Sequence, residues 1–226
     1  MKRREQQSPT ALREWMVDRQ IAGRGVRDPG VLAAMRKVPR ERFVPEPLAS
    51  LAYEDRPLAI GEGQTISQPY IVAVMTEALR LRANDRVLEI GTGSGYAAAV
   101  LAEIAAEVYT VERLEGLARS ARQRLADLGY SNTHVRQGDG SLGWPEHAPY
   151  DAIVATASGP DVPTALLEQL AIGGRLVMPV GTQFDSQRLV RVERIRADRY
   201  QRVTLEGVVF VPLIGAQGWP ATGHAA

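Results

Sequence analysis

Val87-Leu88-Glu89-Ile90-Gly91-Thr92-Gly93-Ser94-Gly95-Tyr96 is the stretch that decides the fold. Arg86–Ile90 is a short apolar run of strand character that breaks on three glycines at alternate positions. Tyr96–Ala106, rich in alanine, then reads as a helix. A strand that ends in glycines and opens a helix leaves backbone N–H groups free and lets a ligand come close to them.

Moving outward, the same alternation repeats. Val108–Val111 reads as a second strand, and Leu114, Leu117, Ala118, Ala121, Leu125 and Leu128 follow helical spacing up to a stop at Gly129. Thr133–Arg136, Ala152–Ala155 and Arg175–Pro179 are further strand candidates, with a helix over roughly Pro163 to Leu170. Strands alternating with helices of this length imply βαβ units, and hence an α/β fold with a doubly wound, mostly parallel sheet. Arg188–Ile195 and Val203–Val211 have no helix between them and are expected to close one edge as an antiparallel pair. Before the core, Ser8-Pro9 and Asp28-Pro29 open two short helices, stopped at Gly23 and Pro39. Pro45, Pro47 and Pro57 make the connector that follows loop-rich. The expectation is one domain over 1–226. It comprises an N-terminal helical and substrate-side segment (1–84), a cofactor-binding core (85–181), C-terminal strands (182–219) and a frayed tail (220–226).

Composition removes many chemistries. The 226 residues contain no cysteine, which excludes disulfides, thiolate metal sites and cysteine nucleophiles. His134, His147 and His224 are too scattered for a histidine-rich zinc site, so no metal is expected. Lys and Arg total 27 against 26 acidic residues, a balance that argues against a nucleic-acid partner held by excess positive charge. Lys2-Arg3-Arg4 leads into polar residues rather than an apolar run, and Pro212, Gly215, Gly218 and Pro220 interrupt the uncharged tail. A cytoplasmic protein with no membrane partner is expected.

Two further features suit a nucleoside. Glu112 stands at the end of the second strand, 21 positions after Gly91, where a carboxylate can accept both ribose hydroxyls. Gly138-Asp139-Gly140 follows the third strand and reaches the crevice above the strand ends, where Asp139 would accept from an adenine amino group. A dinucleotide fingerprint wants a small residue at its sixth position, and Tyr96 stands there. The G-x-G-x-G spacing instead resembles the loop of S-adenosylmethionine-dependent methyltransferases.

Gly61-Glu62-Gly63-Gln64-Thr65-Ile66-Ser67-Gln68-Pro69-Tyr70 precedes a helix running to about Leu81. On local chemistry alone, Ser67 is the N-cap of that helix and Pro69 lies in its first turn. Taken with the decapeptide, the segment resembles the hallmark of protein-L-isoaspartate O-methyltransferases. The Gly-Asp-Gly at 138–140, Pro149-Tyr150-Asp151-Ala152-Ile153, the run 173–181 and the run 207–213 match that family in order and spacing, and the likeness spans residues 10–219. It implies a Rossmann-like fold, S-adenosyl-L-methionine as cofactor, and methylation of the free α-carboxylate of L-isoaspartyl residues in damaged proteins and peptides. The ester collapses to a succinimide that hydrolyses partly to normal aspartate. Carried onto this chain, Ser67 is the catalytic serine. Gln64, Thr65, Ile66, Glu89, Gly91, Thr92, Gly93, Ser94, Gly95, Glu112, Arg113, Asp139 and Gly140 hold the cofactor. A monomer is expected. Some members carry histidines where this chain has Tyr70 and Val72, and a threonine where it has Ile214. An O-methyltransferase for RNA or a small molecule, and an NAD-dependent oxidoreductase, are the competing readings.

Overall fold

A computed structural model describes residues 8–183 and 186–221. Lys2-Arg3-Arg4, His224 and most of the expected tail lie outside the described residues. Ser8 does cap the first helix, accepting the Ala11 N–H at 3.2 Å, with Pro9 in the first turn. That helix, α1 (Pro9–Trp15), does not stop at Gly23. It widens through Met16–Ile21, tightens over Ala22–Arg24 and ends at Gly25, whose φ of 111° takes the left-handed turn. Helix α2 (Pro29–Lys37) starts on Asp28, whose carboxylate accepts the Val31 N–H at 3.0 Å.

The connector carries a hairpin that its sequence does not announce. β1 (Leu58–Gly61) pairs antiparallel with β2 (Gln64–Ile66) around Glu62 and Gly63. Both tip residues have positive φ, 49° and 69°, as the favoured two-residue hairpin turn demands. Glutamate rarely adopts that region, which is why the turn reads as featureless loop.

After α3 (Pro69–Leu79) the alternation runs as expected. The elements are β3 (Arg86–Ile90), α4 (Tyr96–Ala102), β4 (Glu107–Glu112), α5 (Glu115–Asp127), β5 (Thr133–Gln137), β6 (Tyr150–Ala155), α6 (Thr164–Glu168), β7 (Leu170–Val180), β8 (Gln187–Arg196) and β9 (Arg199–Val208). The seven-stranded sheet has the order β5-β4-β3-β6-β7-β8-β9. Strands β3 to β7 pair parallel, while β8 and β9 close the edge antiparallel. β3 lies between β4 and β6, so the chain winds away from it in both directions, and the crevice opens at its carboxyl end.

Two contacts fix that crevice. Tyr96, fully buried, packs edge-on against Phe43 with ring centroids 5.6 Å apart, and the Arg40 guanidinium lies 4.8 Å from its ring centroid. Its hydroxyl meets Met35 Sδ at 3.6 Å. The bulky residue after the glycines thus bolts the N-terminal helices to the glycine loop. Below, Arg175 donates to the carbonyls of Leu79 and Arg80 and to Asp85 at 2.6–2.8 Å, so a buried ion pair closes the carboxyl end of α3.

β9 ends earlier than its sequence suggests. Residues 209–211 leave the sheet because Gln187 holds the backbone of Phe210 with both ends of its amide, at 2.6 and 3.0 Å. The chain then crosses to Ser158, whose N–H donates to Val211 O at 2.8 Å. This crossing makes the segment Val211–Ile214 a wall of the crevice.

Candidate active site

Two cavities flank the carboxyl end of β3. One, of about 350 Å³, lies over the glycine loop and has Gly91, Gly93, Glu112, Arg113 and Gly140 in its lining. The other, of about 610 Å³, is a groove between Ser67-Gln68 and the crossing strand 207–211. A narrow space, the joint, shares lining residues with each of them. Thr65 and Thr156 line both cavities and the joint, and Ser67 lines the groove and the joint.

Of the residues expected at the site, Gln64, Thr65, Ile66, Ser67, Gly91, Thr92, Gly93, Ser94, Glu112, Arg113 and Gly140 are brought together around these spaces. Glu89, Gly95 and Asp139 are not among the lining residues. Gly95 is the N-cap of α4, and a Cβ there would press on Leu125 at 3.3 Å. Asp139 accepts from the Ser141 backbone and hydroxyl at 2.9 and 2.7 Å and from Ala216 N at 2.7 Å. It clamps the C-terminal loop onto the crevice.

Glycine at 91 is required by the packing of the loop itself. A Cβ on Gly91 would lie 2.5 Å from Thr156 Oγ1, which itself donates to Gly91 O at 2.8 Å. Glu112, buried at the end of β4, accepts from Gly93 N at 2.8 Å through one oxygen and from Leu114 N at 3.0 Å through the other. Each oxygen keeps a further lone pair. With apolar Val111, Leu114 and Ala157 nearby, this donor and acceptor set suits a nucleoside.

Ser67 is not the N-cap of α3. Gln68 holds that position and makes no side-chain cap bond. The capping carboxylate comes from Asp55, which accepts the Tyr70 N–H at 3.2 Å and is held by Gln68 and Arg24 at 2.8 and 2.6 Å. The Ser67 hydroxyl has no hydrogen-bond partner among the described residues and faces the groove and its joint. Tyr70 lies beneath Arg24, whose guanidinium carbon is 3.4 Å from the ring centroid. Val72 and Ile214 present hydrocarbon to the joint and to the glycine-loop cavity.

Glu89 lies under the loop, fully buried. Thr110 Oγ1 donates to its Oε2 at 2.6 Å and meets Thr92 Oγ1 at 2.6 Å, tying the loop to the sheet, while Oε1 is without a partner. Burial pushes its carboxyl up to about 8, and the neighbouring Glu112 charge adds to the rise. In the unfolded chain the group loses its proton near 4.5. Its contribution to stability is therefore full below about pH 4.5 and falls as pH rises toward 8. Glu89→Gln removes that titration. Its stability relative to wild type is expected to rise by about 3 kcal/mol between pH 5 and pH 8. Urea midpoints at the two pH values measure this, and an unchanged difference would mean that Glu89 is ionised in the folded protein.

The family model for protein-L-isoaspartate(D-aspartate) O-methyltransferase matches residues 12–218. The chain belongs to this family. Protein-L-isoaspartate O-methyltransferase 2 of Pelobacter propionicus is 66% identical over 207 residues, covering 92% of each chain. The protein-L-isoaspartate O-methyltransferase of Methanoculleus marisnigri is 59% identical over 92% of this chain and 93% of its own. A solved protein-L-isoaspartate O-methyltransferase superposes with a TM-score of 0.81 at 29% identity, over 93% of this chain and 67% of that one. A putative Plasmodium falciparum member, solved with S-adenosyl-L-homocysteine, shares the fold at 23% identity and a TM-score of 0.75, over 89% of this chain and 98% of its own. Thr156 and the Gln187 brace were not singled out by sequence, whereas the wall at 211–214 falls on the run 207–213 and on Ile214, which were. Thr156 follows β6 directly, so the rule that ligands sit beyond the carboxyl ends of the strands would have found it.

Proposed function

We propose that the chain transfers a methyl group from S-adenosyl-L-methionine to the free α-carboxylate of L-isoaspartyl residues in proteins and peptides. The observation that carries this is the joint at Thr65 and Thr156. It shares lining residues with a nucleoside-sized cavity and with an open groove beside an unpartnered hydroxyl, with no histidine or thiol in reach. S-adenosyl-L-methionine, when bound, supplies an electrophilic methyl group on a sulfonium. Glu112 and the bare backbone of Gly91–Gly93 would hold its nucleoside, and the glycine-loop cavity fits that task.

The acceptor carboxylate is already ionised at neutral pH, so the protein needs no general base to create the nucleophile. What remains is to hold the reacting atoms in line and keep water out. The Ser67 hydroxyl orients the carboxylate at the mouth of the joint without neutralising it. Among the described residues no group of His, Asp or Glu is arranged to hold a metal ion, and no helix is long and apolar enough to cross a membrane. The groove is open enough to receive a chain segment, which suits a protein or peptide substrate.

Paired peptides that differ only in isoaspartyl or normal aspartyl linkage test the reading. Both carry the same charges, but only the first presents a free α-carboxylate, attached directly to Cα, with the extra methylene in the main chain; the second presents its carboxylate on a methylene side chain. Methylation of the isoaspartyl peptide alone is expected. Equal kcat/KM on the two would overturn the proposal.

A further inference from the structure

Arg188 is the one charged side chain among the described residues that line the groove, and no carboxylate lines it. It is exposed and has no ion-pair partner among the described residues. Its place in the sheet explains why it is left over. Arg188 pairs with Gly207 on β9 and with Val180 on β7, so neither cross-strand neighbour offers it a charge. With no side chain at 207, the guanidinium lies over bare backbone, its Nη1 3.8 Å from where a Cβ would stand. Asp55, two residues before Pro57 on the opposite wall, is already engaged by Arg24, Gln68 and the Tyr70 N–H. Among the described residues, the lining of the groove therefore carries one positive charge and no negative one.

We propose that Arg188 is a specificity residue that reads an acidic side chain flanking the isoaspartyl residue of the substrate. The proposal rests on the isoaspartyl reading above. The partner is a flanking acid rather than the reacting carboxylate for two reasons. Arg188 lines the groove but not the joint, whereas Ser67, Thr65 and Thr156 line both. A guanidinium paired with the attacking oxygen would also draw charge from the nucleophile, which the transfer needs at full strength. At the rim the same cation has room to meet a second carboxylate, and its exposure sets the scale to that of a solvent-screened pair.

The test uses isoaspartyl peptides of one length carrying Glu, Gln or Lys on either side of the isoaspartyl residue. They are assayed with the wild-type protein, Arg188→Gln and Arg188→Glu. The readout is the ratio of kcat/KM for the Glu and Lys peptides within each protein, so any general loss cancels. For wild type the ratio is expected to exceed about threefold, mostly through KM, and to shrink in 0.5 M salt. Arg188→Gln should bring it close to one, and Arg188→Glu should invert it. The same ratio in all three proteins overturns the proposal, as does a variant that slows every peptide equally while leaving its ratio at the wild-type value. Failure of the underlying reading looks different: folded wild-type protein that binds S-adenosyl-L-homocysteine yet methylates no isoaspartyl peptide of any flank, which removes both.

Discussion

Glu112→Ala is expected to weaken S-adenosyl-L-homocysteine binding about a hundredfold, roughly 3 kcal/mol, while the protein stays folded. The carboxylate does two jobs from one buried position at the end of β4. It holds the Gly93 and Leu114 N–H groups at 2.8 and 3.0 Å, which sets the shape of the glycine loop and the start of α5. Glu112 also lines the cavity, where, on the proposed reading, two ribose hydroxyls would donate to its carboxylate. Alanine removes both the acceptors and the anchor, so the lost affinity includes the cost of reordering the loop. Glu112→Gln separates the two parts. Its single carbonyl oxygen still accepts one N–H, but its amide nitrogen turns donors toward another donor, so an intermediate loss is expected. Calorimetry with S-adenosyl-L-homocysteine against both variants, with thermal melts alongside, measures the effect. A dissociation constant within threefold of wild type for Glu112→Ala would remove this residue from the nucleoside site.

The elements legible in the sequence are those whose signals are local. Arg86–Ile90 is found at its true ends because an apolar run is bounded by Asp85 and by glycine. The helix over Glu115–Asp127 follows from its apolar period and the stop at Gly129. The same holds for the glycine loop and for Glu112, whose positions follow from strand order. What the sequence hides depends on residues far apart in the chain. Ser67 has every local mark of an N-cap, a hydroxyl one residue before Gln68-Pro69. Yet the cap is supplied by Asp55 from 15 positions upstream of Tyr70. Asp139 reads as an acceptor in a glycine turn, and no local signal announces that its second oxygen also accepts from Ala216 N, 77 residues later. The β1–β2 hairpin is hidden for the opposite reason, because Glu62 adopts a backbone region that its residue type does not advertise.

Displacement of Ser67 from the capping role turns the sharpest ambiguity of the sequence into a measurable contrast. Were the hydroxyl a cap, alanine would cost about 1 kcal/mol of stability and glycine only a few tenths. In the structure it makes no cap bond, lies half-buried at the mouth of the joint, and has no partner among the described residues. Ser67→Ala should therefore leave the melting temperature and S-adenosyl-L-homocysteine affinity close to wild type. At the same time kcat/KM on an isoaspartyl peptide should fall about ten- to a hundredfold, the 1.5–3 kcal/mol of a hydrogen bond to a charged group. The loss should fall on kcat as well as KM, because a carboxylate without that donor samples orientations in which its oxygen is out of line with the methyl group. Ser67→Thr keeps a hydroxyl but adds a methyl group at the narrowest point, so its activity should lie between the two. Full activity per folded molecule in Ser67→Ala would show that the acceptor is aligned by Thr65, Thr156 and the groove wall alone.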